Sequence, residues 1–335
     1  MAKTKVKKQK KKQVATQATV AQKSNSVYLY AVLGITTFLF LNTLQNDFVN
    51  WDDPVNLLEN PNLNGFTFEN IKGIFTSTVI GNYNPLPIFM FAIEKAIFGL
   101  KPAVFHFNNV LLHLVCVFLV YKILIKFKLS PLTAAFGALL FGIHPMRVES
   151  VAWITERKDV LFGAFYLGAL YQYIRYLQSD KSNSKIFWSI IVLFTLSLFS
   201  KIQAVALPLS FLAIDYWFKR PINWKLIVEK IPYFALSLLV GVLGVVLLTK
   251  EGSITDIQDY SFIDKLFIGG YSYFIYLVKF IYPYTMSPIY PYPSTIGWEF
   301  YLGTFLSLLM VGGLFYAFKK NYRALVFSFA FFTFN

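Results

Sequence analysis

From Val27 onward the chain alternates between long apolar stretches and short polar breaks. A bilayer core of about 30 Å takes roughly 20 apolar residues in helical form, with shorter stretches possible where a helix meets a thinned or invaginated region. That ruler picks out residues 27–44, 103–125, 132–143, 160–177, 186–199, 204–218, 231–248, 300–318 and 324–334. The expected fold class is an all-α polytopic membrane protein, a bundle of about nine transmembrane helices. Residues 45–101 form a loop too long for a plain connection, and long loops of this kind are usually functional. Within it, residues 66–75 and 85–99 read as amphipathic helices lying along the interface. Residues 266–282 disturb the alternation of crossings, because counting them as a span would move Lys319, Lys320 and Arg323 to the outer side. They are therefore read as interfacial or re-entrant, followed by an outer Pro/Tyr loop.

Composition supports a membrane protein. Of 335 residues, 56% are hydrophobic and 14% charged, well below the roughly 25% charged residues of a soluble domain. The net charge of +14 is concentrated at the start, where Lys3, Lys5, Lys7, Lys8, Lys10, Lys11, Lys12 and Lys23 occur with no acidic residue among them. Residues 1–26 have too little apolar surface to fold and are expected to form a disordered basic arm beside anionic headgroups, keeping the N-terminus cytoplasmic. A nucleic-acid arm is the competing reading, disfavoured because no aromatics are interleaved among the lysines. A cleaved signal peptide is disfavoured by Leu44-Gln45-Asn46-Asp47, which is not a small-residue cleavage site. Cys116 stands alone in an apolar segment and carries no redox or metal role.

This orientation brings three polar groups to the extracytoplasmic side. The first is Trp51-Asp52-Asp53; the second runs from His144 through Arg147 and Glu149 to Glu156-Arg157-Lys158-Asp159; the third is Lys201 with Gln203. Ionisable residues grouped at the ends of apolar helices are a functional-site hypothesis by default. Asp52 or Asp53 is a candidate general base, with its neighbour holding it or binding a cation, although an Asp before Pro54 also suits a helix cap. Arg157 and Lys158 have the chemistry to hold a phosphate, and His144 to protonate or hydrogen-bond a leaving phosphate oxygen. The alternatives are a solvated loop of mutually paired charges and, for Lys201, a snorkelling anchor. His106, Asn109 and His113 share a helical face, read as an interhelical hydrogen-bonding seam more readily than as a metal set. Walker, dinucleotide, HExxH and GxSxG motifs are absent from the sequence.

Several blocks taken together carry a resemblance: Phe48-Val49-Asn50-Trp51-Asp52-Asp53-Pro54, Glu59-Asn60-Pro61, Tyr83-Asn84-Pro85-Leu86, Phe105-His106-Phe107-Asn108-Asn109, His144-Pro145 with Val148-Glu149-Ser150, Glu156-Arg157-Lys158-Asp159 and Ser200-Lys201 with Asp215-Tyr216-Trp217. In this order they resemble the membrane half of the transmembrane and TPR-repeat-containing O-mannosyltransferase family, in its prokaryotic branch, over roughly 47–217. The resemblance implies a GT-C-like bundle with interfacial helices in the first outer loop and a polyprenyl-phosphate sugar as donor. It implies transfer of mannose or a similar hexose, with inversion, to a hydroxyl acceptor such as Ser or Thr of a protein. Asp52 or Asp53 would be the base; His144, Arg147, Glu149, Glu156, Arg157, Lys158, Asp159 and Lys201 would surround the donor. Trp51, Asn84, His106, Asn109 and Gln203 would support them. No cofactor is demanded, and a divalent cation is the one candidate. The family's TPR helices do not follow within this sequence, so the C-terminal domain is expected to be absent or truncated. A transporter or lipid-linked sugar flippase is the alternative, and it predicts charges at mid-span and paired broken helices.

Overall fold

The computed structural model describes residues 26–179, 184–250 and 260–335. The expected basic arm, apart from Ser26, lies outside the described residues, as do residues 180–183 and 251–259.

The first apolar stretch forms α1, Ser26–Gln45, which tightens over Leu41–Gln45. The long loop holds α2, Phe68–Thr76, and α3, Pro85–Phe98. There follow α4, Pro102–Lys126, α5, Pro131–Ile143, the short α6, Val148–Ala152, α7, Arg157–Gln178, α8, Ser184–Ser200, and α9, Leu207–Trp217. The remaining helices are α10, Trp224–Lys250, α11, Phe262–Ile281, α12, Trp298–Lys319, and α13, Arg323–Phe334. Among the described residues there is no strand, and four helices (α1, α4, α10 and α12) are long and apolar enough to cross a membrane. The protein is an all-α polytopic membrane protein.

Local chemistry explains the starts and stops. Pro85, Pro102 and Pro131 each open a helix, where the missing N–H would have had no intrahelical partner. Ser130 Oγ accepts from Thr133 N at 3.2 Å, and Ser261 caps α11 reciprocally with Asp264. Gly99, at φ +68°, ends α3 in a conformation that other residues adopt at a cost.

Two packed regions position the site. The larger joins α7, α8, α9 and α10 around Tyr173, Ile174, Phe194 and Phe211. The second sits beneath the long loop, where Leu57, Ile74, Ile88, Phe91, Phe105 and Ile154 are buried together. The loop helices are thus held by protein contacts of their own. Their apolar stripes divide, with Ile74, Ile88 and Phe91 turned inward and Phe68, Ile93 and Ile97 left exposed. Along α10 and α12, Leu238, Leu239, Leu308 and Phe315 stay exposed, surface that suits lipid.

The stretch that upset the alternation is one continuous helix, α11. Thr304 Oγ1 donates to Phe267 O at 3.0 Å and Ser307 Oγ donates to Gly270 O at 2.7 Å, so one turn along α12 matches one turn along α11 in the same sense. Small residues permit this approach: a Cβ on Gly303 would lie 2.8 Å from the Tyr271 ring. Between the helices the chain returns along α11, and Tyr260 OH meets Pro293 O where it arrives. α11 and its return segment form a hairpin whose ends meet.

Candidate active site

The two distant polar groups of the sequence are joined at Asp53. Its carboxylate is fully buried and accepts from Val49 N at 2.8 Å through Oδ2. Through Oδ1 it accepts from Trp153 Nε1 at 3.1 Å and from Thr155 N at 3.2 Å. Asp53 stands at the head of the turn Pro54–Leu58 but makes no side-chain cap there; its oxygens go to the far loop instead. Asp52 beside it is half-buried, and its carboxylate accepts no hydrogen bond from the described residues. Trp51 is exposed, its ring 5.8 Å from that of Trp153. The adjacent acids are therefore unlike: one fastens two loops, and the other does not take part in that fastening.

Arg157 lies at the centre of the fastening. It is 0% exposed and its guanidinium pairs with Glu94 of α3. Nε donates to Asn109 Oδ1 at 2.8 Å and Nη2 to Phe105 O at 2.7 Å, while the Phe91 ring lies 4.7 Å from the guanidinium carbon. Every edge of this cation is engaged, so Arg157, expected from its residue type to hold a phosphate, instead ties α3, α4 and α7 together. Asn109 completes the joint by donating from Nδ2 to Trp153 O at 3.0 Å. His113 bonds Gly142 O at 2.8 Å across α4 and α5, so Asn109 and His113 make a seam between segments. His106, on the same face, is buried without a side-chain partner.

The remaining charges surround a cavity of about 350 Å³. Arg147, Ser150, Asp159, Lys201 and Gln203 line its polar part, and Phe162, Tyr166 and Phe331 its apolar part. Lys201 pairs with Asp159, whose other oxygen accepts from Ser150 Oγ at 3.1 Å. Among the described residues Arg147 has no carboxylate within ion-pair distance, and it lies 5.6 Å from the Phe141 ring. A smaller cleft beside it is lined by Tyr83, Asn84, Lys158, Lys201 and Gln203. Asn84 Oδ1 is buried there with no donor. Lys158 pairs with Glu156 at 2.7 Å. Burial, and then the neighbouring carboxylate of Asp159, raises the Glu156 carboxyl above its ordinary range; Glu149 is raised by burial and by Glu156.

His144 is committed elsewhere. Met146 N donates to its Nδ1 at 3.2 Å, which leaves Nε2 as the protonated nitrogen, 2.8 Å from Phe280 O. Its ring stacks on Phe280 at 15°. In this arrangement His144 docks the end of α11 and has no nitrogen left for a leaving phosphate. Among the described residues no three His, Cys, Asp or Glu side chains converge as a metal set.

Sequence reasoning passed over Glu94 and Ser150. Glu94 carried a signal, being the single acid in the apolar run Pro85–Phe98. Ser150 carried none.

The family described as dolichyl-phosphate-mannose-protein mannosyltransferase matches residues 83–248, which include Asn84, Arg147, Asp159 and Lys201 but not Asp52 or Phe331. Protein O-mannosyl-transferase TMTC3 of Homo sapiens is 28% identical over 172 residues, 48% of this chain and 18% of its own length. Protein O-mannosyl-transferase TMTC1 of Mus musculus is 35% identical over 155 residues, 43% of this chain and 16% of its own. Protein O-mannosyl-transferase F38B6.6 of Caenorhabditis elegans is 27% identical over 203 residues, 55% of this chain and 28% of its own. The matched stretch thus spans less than a third of the length of these relatives. No solved structure matches. Over residues 83–248 this chain is thus similar to dolichyl-phosphate-mannose-protein mannosyltransferases, and about half of it aligns with protein O-mannosyl-transferases of the TMTC type.

Proposed function

We propose that this protein transfers mannose or a similar hexose from a polyprenyl-phosphate carrier to an acceptor hydroxyl, Ser or Thr of a protein, on the extracytoplasmic side and with inversion. The observation that carries this reading is the set of bonds from Asp53 to Trp153 and Thr155. They turn two charged clusters far apart in sequence into one site, with an unengaged carboxylate, Asp52, on one side and the cations Arg147, Lys158 and Lys201 on the other.

Each component has a chemical task. Asp52 takes the proton of the acceptor hydroxyl as its oxygen attacks the anomeric carbon. The bond from that carbon to the phosphate oxygen breaks on the opposite face, which inverts the centre. Arg147 and Lys201 stabilise the charge on the departing polyprenyl phosphate, whose chain follows the apolar side of the cavity. Asn84 Oδ1, buried without a donor, accepts from a sugar hydroxyl, and exposed Trp51 and Gln203 border the sugar and the acceptor. Glu156 holds Lys158 in place, and Asp159 holds Lys201. Asp53, Arg157, Asn109, His106 and His144 position the loops. No step is routed through a divalent cation.

The N-terminus is placed in the cytoplasm on its lysines, with the site on the outer face of the membrane that holds the protein, the inner membrane in a bacterium.

The test is incubation of the purified chain in lipid with a panel of polyprenyl-phosphate sugars and a hydroxyl acceptor, reading released polyprenyl phosphate. Turnover lost in Asp52→Asn with donor binding kept supports the reading. Movement of intact donor across the bilayer, with its sugar bond unbroken, would replace it with a flippase.

A further inference from the structure

A second, more voluminous cavity lies outside the groups used above. It runs between α11 and the return segment before α12, with a volume of about 820 Å³. Its walls are tyrosine-rich, with Tyr271 and Tyr276 from the helix side and Tyr284, Tyr290 and Tyr292 from the return segment. Two lysines, Lys265 and Lys279, line it, and among the described residues no carboxylate does. At one end His144 holds Phe280, so the cavity adjoins the candidate active site without sharing its cations.

Lys279 is the unusual group. It is 9% exposed, yet among the described residues no carboxylate lies within ion-pair distance. Its ammonium donates to Thr285 O at 3.1 Å and Tyr290 OH at 2.7 Å, and lies 4.2 Å from the centre of the Tyr290 ring. These are neutral partners. Burying an ammonium costs several kcal/mol unless a counter-charge is supplied, and cation–π contact returns only about 0.5–2 kcal/mol. The other buried cations of the described chain, Arg157 and Lys230, each have a carboxylate.

We propose that this cavity binds the phosphate headgroup of an anionic membrane lipid, with Lys279 as its counter-ion and the tyrosines as its walls. The volume sits in the range for ligands of drug size and is far more than a lone phosphate fills. The helix that forms one wall also suits an amphiphile: outside the cavity lining, Phe262, Ile263, Leu266, Phe280 and Ile281 of α11 are exposed and apolar, surface on which acyl chains lie. Interfacial tyrosines suit the same depth, one end of each ring being apolar and the other polar. The ligand seats the hairpin that His144 ties to the active-site loop. The proposal does not depend on the glycosyltransferase reading, because its ligand is a bulk lipid and its readout is binding.

The test uses the full chain in detergent, titrated with phosphatidylglycerol, phosphatidylcholine or inorganic phosphate, reading thermal stability together with lipid retained in native mass spectrometry. Phosphatidylglycerol is expected to raise Tm and to be retained, with phosphatidylcholine at least tenfold weaker. Lys279→Met should weaken phosphatidylglycerol about tenfold or more, the loss of one charge-assisted bond. Tyr290→Phe, which frees the ammonium from a competing partner, should keep the binding. If Lys279→Met does not fold, Lys265→Gln, at an exposed position on the same cavity, should weaken binding a few-fold. An equal response to phosphatidylcholine overturns the proposal. So does phosphatidylglycerol binding lost in Arg147→Gln but retained in Lys279→Met, which would put the lipid in the other cavity. An equal shift from inorganic phosphate would make the ligand a free anion and overturn the lipid assignment.

Discussion

The Trp153 indole donates to Asp53 across 100 residues of sequence, at 3.1 Å. This bond makes the acidic motif of the first loop and the charged stretch of the second loop parts of one object. It also separates Asp53 from Asp52, which the sequence presents as equivalent.

Asp52→Asn is expected to lower turnover about 100-fold to 10,000-fold, the usual contribution of a general base, with thermal stability unchanged. Asp53→Asn has the converse signature. The amide turns an N–H toward donors that now meet an acceptor, which costs about 1–3 kcal/mol. Parallel measurements of turnover and Tm distinguish them; a Tm loss confined to Asp52→Asn would reverse the assignment.

Arg157→Gln should destabilise the chain by about 3–5 kcal/mol, because Glu94 is left buried and unpaired. Arg157→Gln combined with Glu94→Gln should recover part of that loss. The readout is a double-mutant cycle in Tm. If Arg157 held the donor phosphate instead, the variants would keep their Tm and lose donor affinity.

Arg147→Gln should weaken binding of the polyprenyl-phosphate donor about tenfold to a hundredfold, the value of one or two charge-assisted hydrogen bonds. Stability should change little, because Arg147 has no ion pair to break. Lys201→Gln should weaken donor binding and also lower Tm slightly, since Asp159 loses its partner. Donor affinity measured by titration in nanodiscs checks both.

Stability should rise as the pH falls from 7 to about 5. Glu149 and Glu156 are raised above their ordinary values by burial and then by neighbouring carboxylates. A carboxyl whose pKa is higher folded than unfolded binds its proton more tightly in the native state. Its stabilisation is therefore gained as pH drops through the raised value and lost as pH climbs through it. Glu156→Gln should flatten the profile of Tm against pH.

At the opposite end of the bundle, Arg220 bonds Asp215 at 2.9 Å and Glu229 at 2.8 Å, while Lys230 bonds both acids. Tyr173 OH donates to Asp215 at 2.6 Å. Arg220→Gln should cost about 3–5 kcal/mol by leaving a buried acid short of its partner. Turnover per folded molecule should be unchanged, because the network is far from the cavity residues. A fall in turnover at constant Tm would argue against a purely structural network.

Much of this protein was legible in its sequence because the dominant signals are local. Apolar runs, opening prolines and capping serines act within a turn or two of chain. They define α4 as Pro102–Lys126 against an expected span of 103–125 and α12 as Trp298–Lys319 against 300–318. The resemblance rested on ordered blocks and needed no geometry. Residue type also marked the charged clusters as special, because ionised groups among apolar helices are costly.

What tertiary structure alone decided was which charge is engaged and which is free. Arg157 and Arg147 differ in sequence only by their neighbours; one lies against Glu94, Asn109 and Phe105 O, and the other against a cavity. Asp52 and Asp53 are adjacent, but one carboxylate reaches the loop of Trp153 and its neighbour does not. Such outcomes depend on contacts between residues tens to a hundred positions apart, and a polar group's role is set by whether the fold brings it a partner. The hairpin of α11 was decided the same way. The apolar run announced a helix, and only its packing in one sense with α12 fixed where the chain had to turn back.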